Sequence, residues 1–389
     1  MPVTLNHADD EFEARFAALL TMKREAAEDV DAAAAAIIAE VRAGGAEALI
    51  ALTERFDRLR LTPETLAFSE AEIDEAVARV PAAEAEALAL AAARIRAYHE
   101  RQRPEDARWT DEAGVSLGWR WTAVDAAGLY VPGGTASYPS SVLMNAIPAQ
   151  VAGVRRLAMC APTPDGQVNP LVLLAARLSG VTEIYRVGGA QAIAALAYGA
   201  GPIAPVDKIT GPGNAWVAAA KRRVFGHVGI DSIAGPSEVL VIADGAQNPD
   251  WIAADLMAQA EHDAAAQSIL ITDDAGFAAE VGRAVDRLLQ RLGRAEIAGA
   301  SWRDNGALVV ARDLDHAAEL ADRIAAEHLE LCVADPEALA ARIRHAGAIF
   351  LGAHTPEAVG DYVAGPNHVL PTSRSARFAS GLSVLDFMK

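Results

Sequence analysis

From about residue 120 onward the chain repeats one pattern: a short apolar run, then a stretch of helical spacing. The runs LAMCAP, TEIYRVGG, VDKITGPG, EVLVIADG, QSILITDD, GALVVARD, LELCVADP and GAIFLG read as buried strands. Strands alternating with helices predict parallel sheets covered on both faces, the α/β class. The pattern divides into two such domains, 130–237 and one running from 238 to about 381. Before residue 103 the spacing is helical. One helix is expected to follow Asp31 as N-cap and to stop at Gly44 and Gly45. EAEALALAAARIRAYHERQ carries apolar positions at helical spacing. Almost no strand signal precedes VSLGWRW at 115–121. These helices, 24–129, are expected to pack with 238–381, behind an N-terminal helical arm, 1–23. No repeat of fixed period and no low-complexity linker interrupts the pattern.

Polar residues break the apolar pattern in three places. In LMAQAEHDAA, residues 256–265, a helix announced by Asn248 and Pro249 turns polar at its end. Ile252, Leu256, Gln259 and Asp263 fall near one line, with His262 about 60° from Gln259. Buried Gln and His need partners, from the core or from a ligand. Gln259 and His262, at i and i+3, can reach one metal ion. In AAEHLELCV, Glu327 and His328 stand where a helix gives way to a strand. Leu329, Leu331 and Val333 share one strand face and His328 takes the other. A His there suits proton transfer, and a plain surface His looks the same. In GDYVAGPNHVLPT, Asp361 and His368 sit in a loop stiffened by Gly360, Gly365, Pro366 and Pro371. Together these clusters offer Gln259, His262 and Asp361 as metal ligands and Glu327 and His328 as acid/base groups. HExxH is absent, which excludes the usual zinc-peptidase motif.

Glycine turns follow several strands, in LYVPGGTASYPSS, RVGGAQAIA, ITGPGNAWVAAAKR and IAGPSEVLV. Such turns let backbone N–H groups approach an anion such as a dinucleotide pyrophosphate. None is GxGxxG with an acidic residue about 20 positions on, so plain turn chemistry remains open.

Composition narrows the classes. The 389 residues are 52% hydrophobic and 22% charged, enough for two cores. Net charge is -18, from 34 basic and 52 acidic residues, which argues against nucleic acid and against an anionic membrane surface. Cys160 and Cys332 lie in apolar strand-like runs and read as small buried hydrophobes. With no disulfide framework, secretory signal or bilayer-length apolar run, a cytoplasmic setting is expected.

The segments LYVPGGTASYPSSVLMNAIPA, VGGAQAIAALAYG, DKITGPGNAWVAAAKR, AGPSEVLVIAD, DLMAQAEHD, AEHLEL and GDYVAGPNHVLPT, in this order, resemble the histidinol dehydrogenase family over nearly the whole chain. The resemblance implies a zinc-dependent, NAD-linked enzyme oxidising L-histidinol to L-histidine through the aldehyde, with two NAD in turn. It implies two Rossmann-like α/β/α domains with parallel-rich sheets plus an N-terminal helical region. By the same resemblance, Gln259, His262 and Asp361 are the zinc ligands and Glu327 and His328 the catalytic pair. Substrate contacts are Ser237, Gln259, His262, His328, Asp361 and His368. Tyr130, Gln191 and Asn214 are the NAD contacts, which accounts for the missing GxGxxG.

Family members run past GLSVLDFMK into a segment that reaches the partner subunit of a homodimer, bringing a further zinc-ligand His and a substrate-contacting Glu. Residues 382–389 read as the stub of that segment. A truncated form, a paralogue acting on another small polar alcohol such as a sulfonated diol, and a non-catalytic binding scaffold are the alternatives to the full activity.

Overall fold

The computed structural model describes residues 2–22, 28–133, 138–233 and 235–389. The chain divides into two compact units. Unit 1 comprises Met1–Glu25, Ala234–Val359 and Leu370–Gly381. Unit 2 comprises Ala26–Ile233, Gly360–Val369 and Leu382–Lys389.

Unit 1 is built on a six-stranded, all-parallel sheet. Its strands are β1 (Val3–Asn6), β9 (Glu238–Ala243), β10 (Gln267–Thr272), β11 (Ala307–Val310), β12 (His328–Cys332) and β13 (Ala348–Leu351). The spatial order is β1-β11-β10-β9-β12-β13. Central strands EVLVIA and QSILIT are buried along their whole length, as parallel strands covered on both faces must be. Leu240, Ile242, Ile269 and Ile271 join one core with the helices Phe12–Leu20 and Leu314–Ile324. Val239, Val241 and Leu270 join the other, beneath the helices Pro249–Ala260, Ala275–Leu289 and Ala295–Asn305. The result is a helix–sheet–helix sandwich.

Unit 2 holds a second parallel sheet. Its strands are β4 (Ala126–Tyr130), β5 (Arg156–Cys160), β6 (Glu183–Tyr185), β7 (Lys208–Thr210) and β8 (Gly229–Ile230), in the order β6-β5-β4-β7-β8. An exposed antiparallel hairpin, β2 (Ala107–Thr110) with β3 (Ser116–Trp119), accompanies it. Both faces are covered. Ile73, Leu88 and Ile95 pack with Leu143, Ile147 and Leu157. Val41, Leu49 and Leu52 pack with Ile193, Leu196 and Val217.

Four expectations are corrected. Helices of 24–129 do not join 238–381; they cover the two faces of unit 2's own sheet. That sheet's strands are only two to five residues long, so its apolar faces require these long helices. The segment 1–23 is not all helix: Val3–Asn6 adds a strand beside β11. Its register partner lies some three hundred residues downstream, so local spacing could not reveal it. Gly44 and Gly45 do not stop the second helix either. The chain kinks at Gly45, with φ 54°, and helix resumes to Asp57. Asp31 does not start that helix; its carboxylate accepts from Arg223 Nε at 3.0 Å. Among the described residues no helix is long and apolar enough to cross a membrane.

Candidate active site

In unit 1 the functional side chains gather at the amino ends of β9 and β12. Glu327 precedes β12 and His328 opens it. The Glu327 Oε2 accepts the backbone N–H of Glu238 at 2.9 Å. His328 Nδ1 lies 3.0 Å from the Glu238 carbonyl. A carbonyl only accepts, so Nδ1 carries the hydrogen and the Nε2 lone pair of the neutral ring is the basic position. Glu327 Oε2 and Glu357 Oε1 stand 3.7 and 3.9 Å from that Nδ1. Burial pushes the Glu327 carboxyl up to about 8, with the His328 charge opposing.

Behind this pair runs a second acidic layer. His328, Glu330 and Cys332 alternate with Leu329 and Leu331, so they share a strand face. Glu330 Oε1 accepts the Glu357 N–H at 2.7 Å. It also feels the charge of Asp255, one turn before Gln259 on the helix Pro249–Ala260. Burial pushes Asp255 up to about 6, and burial with the Asp255 charge raises Glu330 well above the carboxylate range. Two adjacent buried carboxyls share a proton rather than both ionise.

Gln259 is fully buried at the end of its helix. Neither its Oε1 nor its Nε2 has a hydrogen-bond partner among the described residues. Asn248 caps the helix as expected, accepting from Asp250 N at 2.9 Å. The line drawn through Gln259 and Asp263 is corrected: the helix ends at Ala260. His262 is exposed beyond it, its N–H reaching the Gln259 carbonyl at 3.1 Å. Asp263 closes a turn by accepting from Ala265 N at 2.8 Å. Ser237 is half-buried just before β9.

In unit 2 the loop 363–369 is held by contacts of Asn367 and Gly365, and Asp361 is corrected from loop to the helix Glu357–Tyr362. Asn367 donates to the Met144 carbonyl at 2.6 Å and lies 3.3 Å from His99 Nε2. Gly365, at φ 113°, passes so close to Arg94 that a Cβ would stand 2.9 Å from its carbonyl. His368 donates Nδ1–H to the Asp361 carbonyl at 2.9 Å, which leaves Nε2 as the acceptor. Asp361 and His368 are each half-buried. Asp361 shares the short helix Glu357–Tyr362 with Glu357, four residues back, so the two carboxylates fall on one side of it.

A cleft of about 370 Å³ opens at the carboxyl ends of β4, β6 and β7 and brings Tyr130, Gln191 and Asn214 together. Tyr130 is buried at the end of β4, and its hydroxyl accepts the Gly189 N–H at 3.1 Å. Burial pushes that phenol up to about 12. Gln191 is buried in the first turn of the helix Gly189–Tyr198. Asn214 caps the helix Ala215–Val224, accepting from Trp216 and Val217 N–H. The turn before it is held by a buried pair. Lys221 Nζ donates to the Gly211 carbonyl at 3.0 Å, Asp231 accepts the Gly211 N–H at 2.8 Å, and the two side chains pair directly. Only glycine fits there: a Cβ at Gly211 would meet the Tyr130 carbonyl at 2.0 Å. The turn residues 134–137 of LYVPGGTASYPSS lie outside the described residues.

The histidinol dehydrogenase family model matches residues 20–389. The chain belongs to the histidinol dehydrogenase family. A histidinol dehydrogenase of Ruegeria pomeroyi is 71% identical over 389 residues, spanning 100% of this chain and 90% of the relative. That of Rhodospirillum rubrum is 66% identical over 390 residues, with the same coverage. A crystal structure of histidinol dehydrogenase from Elizabethkingia anophelis superposes with a TM-score of 0.95 at 36% identity, covering 100% of this chain and 89% of that one. The α/β class with parallel-rich sheets is thus the family's fold.

Several residues of this family member were passed over in the sequence. Glu330 was legible, as the polar alternate to Leu329 and Leu331. Glu357 had only its spacing to Asp361 as a signal. Asp255 and Lys221 were not singled out at all.

Proposed function

We propose that this chain carries out the family's reaction, the NAD-linked oxidation of L-histidinol to L-histidine through histidinal. The observation that carries the reading is the buried Glu327–His328 pair with its ring tautomer set by the Glu238 carbonyl. His328 Nε2 accepts the alcohol proton while hydride leaves for the nicotinamide. The aldehyde is then hydrated. Glu327 in its ionised form takes a proton from that water, and His328 accepts the next proton as the hydrate is oxidised. Ser237 and His368 contact the substrate, and Tyr130, Gln191 and Asn214 hold NAD, the hydride acceptor in both steps.

The side chains fit a resident zinc ion. Gln259 keeps both amide atoms buried without partners among the described residues, and the surrounding donors are N and O, which zinc accepts. We assign Gln259, His262 and Asp361 as ligands. Bound there, zinc supplies a template that orients the imidazole and amine of the substrate. A homodimer and a reducing, cytoplasmic setting complete the reading; two free, buried cysteines support the latter.

The test is NADH formation from L-histidinol by the His328→Asn variant with its zinc content measured alongside. Turnover falls by about 10²–10⁴-fold with zinc retained. Parental turnover in the variant would overturn the assignment.

A further inference from the structure

Asp57 is the last residue of the helix Glu28–Asp57 and lines the same cleft as Tyr130, Gln191 and Asn214. It is 8% exposed, and its Oδ2 has no hydrogen-bond partner among the described residues. Two general costs act on it. A helix carboxyl end disfavours negative charge, and burying a carboxylate without donors is unfavourable. Burial accordingly raises its carboxyl above the ordinary range, against the pull of the Arg58 charge.

The adjacent cation does not answer the carboxylate. Arg58 commits its guanidinium to Asp165, with Nε to Oδ1 at 2.7 Å and a second contact to Oδ2. Arg58 and Asp165 are both non-glycine residues at φ 54°, a left-handed conformation that side chains rarely adopt. Such strain gathers at ligand sites. Both residues line an adjoining hollow of about 620 Å³ that shares Phe56, Gly133, Pro162 and Pro164 with the first.

The chemistry of the missing partner follows from what is absent. A phosphate would set a second anion against the carboxylate. An apolar group would leave it bare. Hydroxyl donors on adjacent carbons satisfy both of its oxygens. Dinucleotide folds ordinarily hold that ribose diol with an acidic residue about 20 positions after a GxGxxG turn; this chain has no GxGxxG, and Asp231, 20 positions after Gly211, is already committed to Lys221 and the Gly211 N–H. Asp57 reaches the cleft instead from a helix that precedes the first strand of the sheet.

We propose that Asp57 binds the ribose diol of the dinucleotide and rejects a 2′-phosphate in its place, so that this residue selects NAD over NADP. The proposal rests on the reading that this cleft holds NAD.

The test measures NAD and NADP binding to the full chain and to its Asp57→Asn and Asn214→Ala variants, with melting of each in the absence of nucleotide. In Asp57→Asn, the Kd for NAD rises about tenfold while NADP does not weaken. The ligand-free variant melts no lower than the parent, because an ill-placed charge has gone. On the unmodified chain, 2′-deoxy-NAD loses the same factor, which needs no variant to fold. Equal weakening of NAD and NADP, a lowered melting temperature, or full affinity for 2′-deoxy-NAD would each overturn the role of Asp57. So would unchanged NAD binding in Asp57→Asn while Asn214→Ala binds weakly. If both variants bind NAD as the parent does, the cleft assignment itself falls, and the proposal with it.

Discussion

The two units use opposite ends of their parallel sheets. In unit 2 the cleft opens where strands end and helices begin, at Gly189 and Asn214. Helix amino ends present N–H groups and partial positive charge, so that end of a sheet suits a pyrophosphate. In unit 1 the catalytic pair stands at the amino ends of β9 and β12, and Gln259 arrives on the carboxyl end of its helix. That end presents carbonyls and partial negative charge, which favours a cation. Buried charge follows the same division. Lys221 and Asp231 in unit 2 satisfy each other. Glu327, Glu330, Glu357 and Asp255 in unit 1 add acid to acid and leave room for a positive ion. A compensated pair is scaffold. A cluster of like-signed groups is poised for chemistry.

The largest test of that contrast is Lys221→Met, which strands the Asp231 carboxylate in the interior. The variant should lose about 3–5 kcal/mol of stability in denaturant unfolding. A loss near zero would make the pair ornamental.

Glu327 gives a pH signature. As the base for aldehyde hydration it must be ionised, so the rate of the second oxidation should climb about tenfold per pH unit toward pH 8 and level above it. Stability runs the other way. The folded chain holds a proton that the unfolded chain releases near 4.5, so the metal-free protein should weaken as pH rises from about 4.5 to about 8. In Glu327→Gln the rate slope should vanish and the stability slope should shrink, the remainder belonging to Asp255, Glu330 and Asp57, whose carboxyls are also raised; an undiminished stability slope would clear Glu327.

Gln259→Leu removes a buried amide that no group among the described residues answers. The metal-free variant should gain about 1 kcal/mol while its zinc content collapses; a destabilised variant that still holds zinc breaks the contrast. Smallest of all, Asn248→Ala uncaps the helix that carries Gln259 and should cost about 1 kcal/mol of stability with zinc content unchanged.

What the sequence revealed depended on how local the cause was. β5, β6, β7 and β9 to β13 were legible because parallel strands buried in a sheet read as unbroken apolar runs. The Asn248–Pro249 cap and the loop 363–369 were legible because turn residues carry their own geometry. Assignment of the 28–57 and 82–100 helices to a unit was not, since an apolar helix face does not name the sheet it will cover. The candidate site divided the same way. Glu327 and His328 are neighbours in the chain. The Glu238 contacts that orient them cross 89 and 90 positions. Asp263 left the line drawn through Gln259 because helical spacing was extended past Ala260, where the helix ends.

The first strand of unit 1 has one more consequence. Among the described residues β1 pairs with one strand, β11, which lies some three hundred residues later. At about 5–20 residues per second that interval of synthesis is roughly 15–60 s. Through all of it Val3–Asn6 has no β11 to pair with, so these residues must stay uncommitted until β11 has been made.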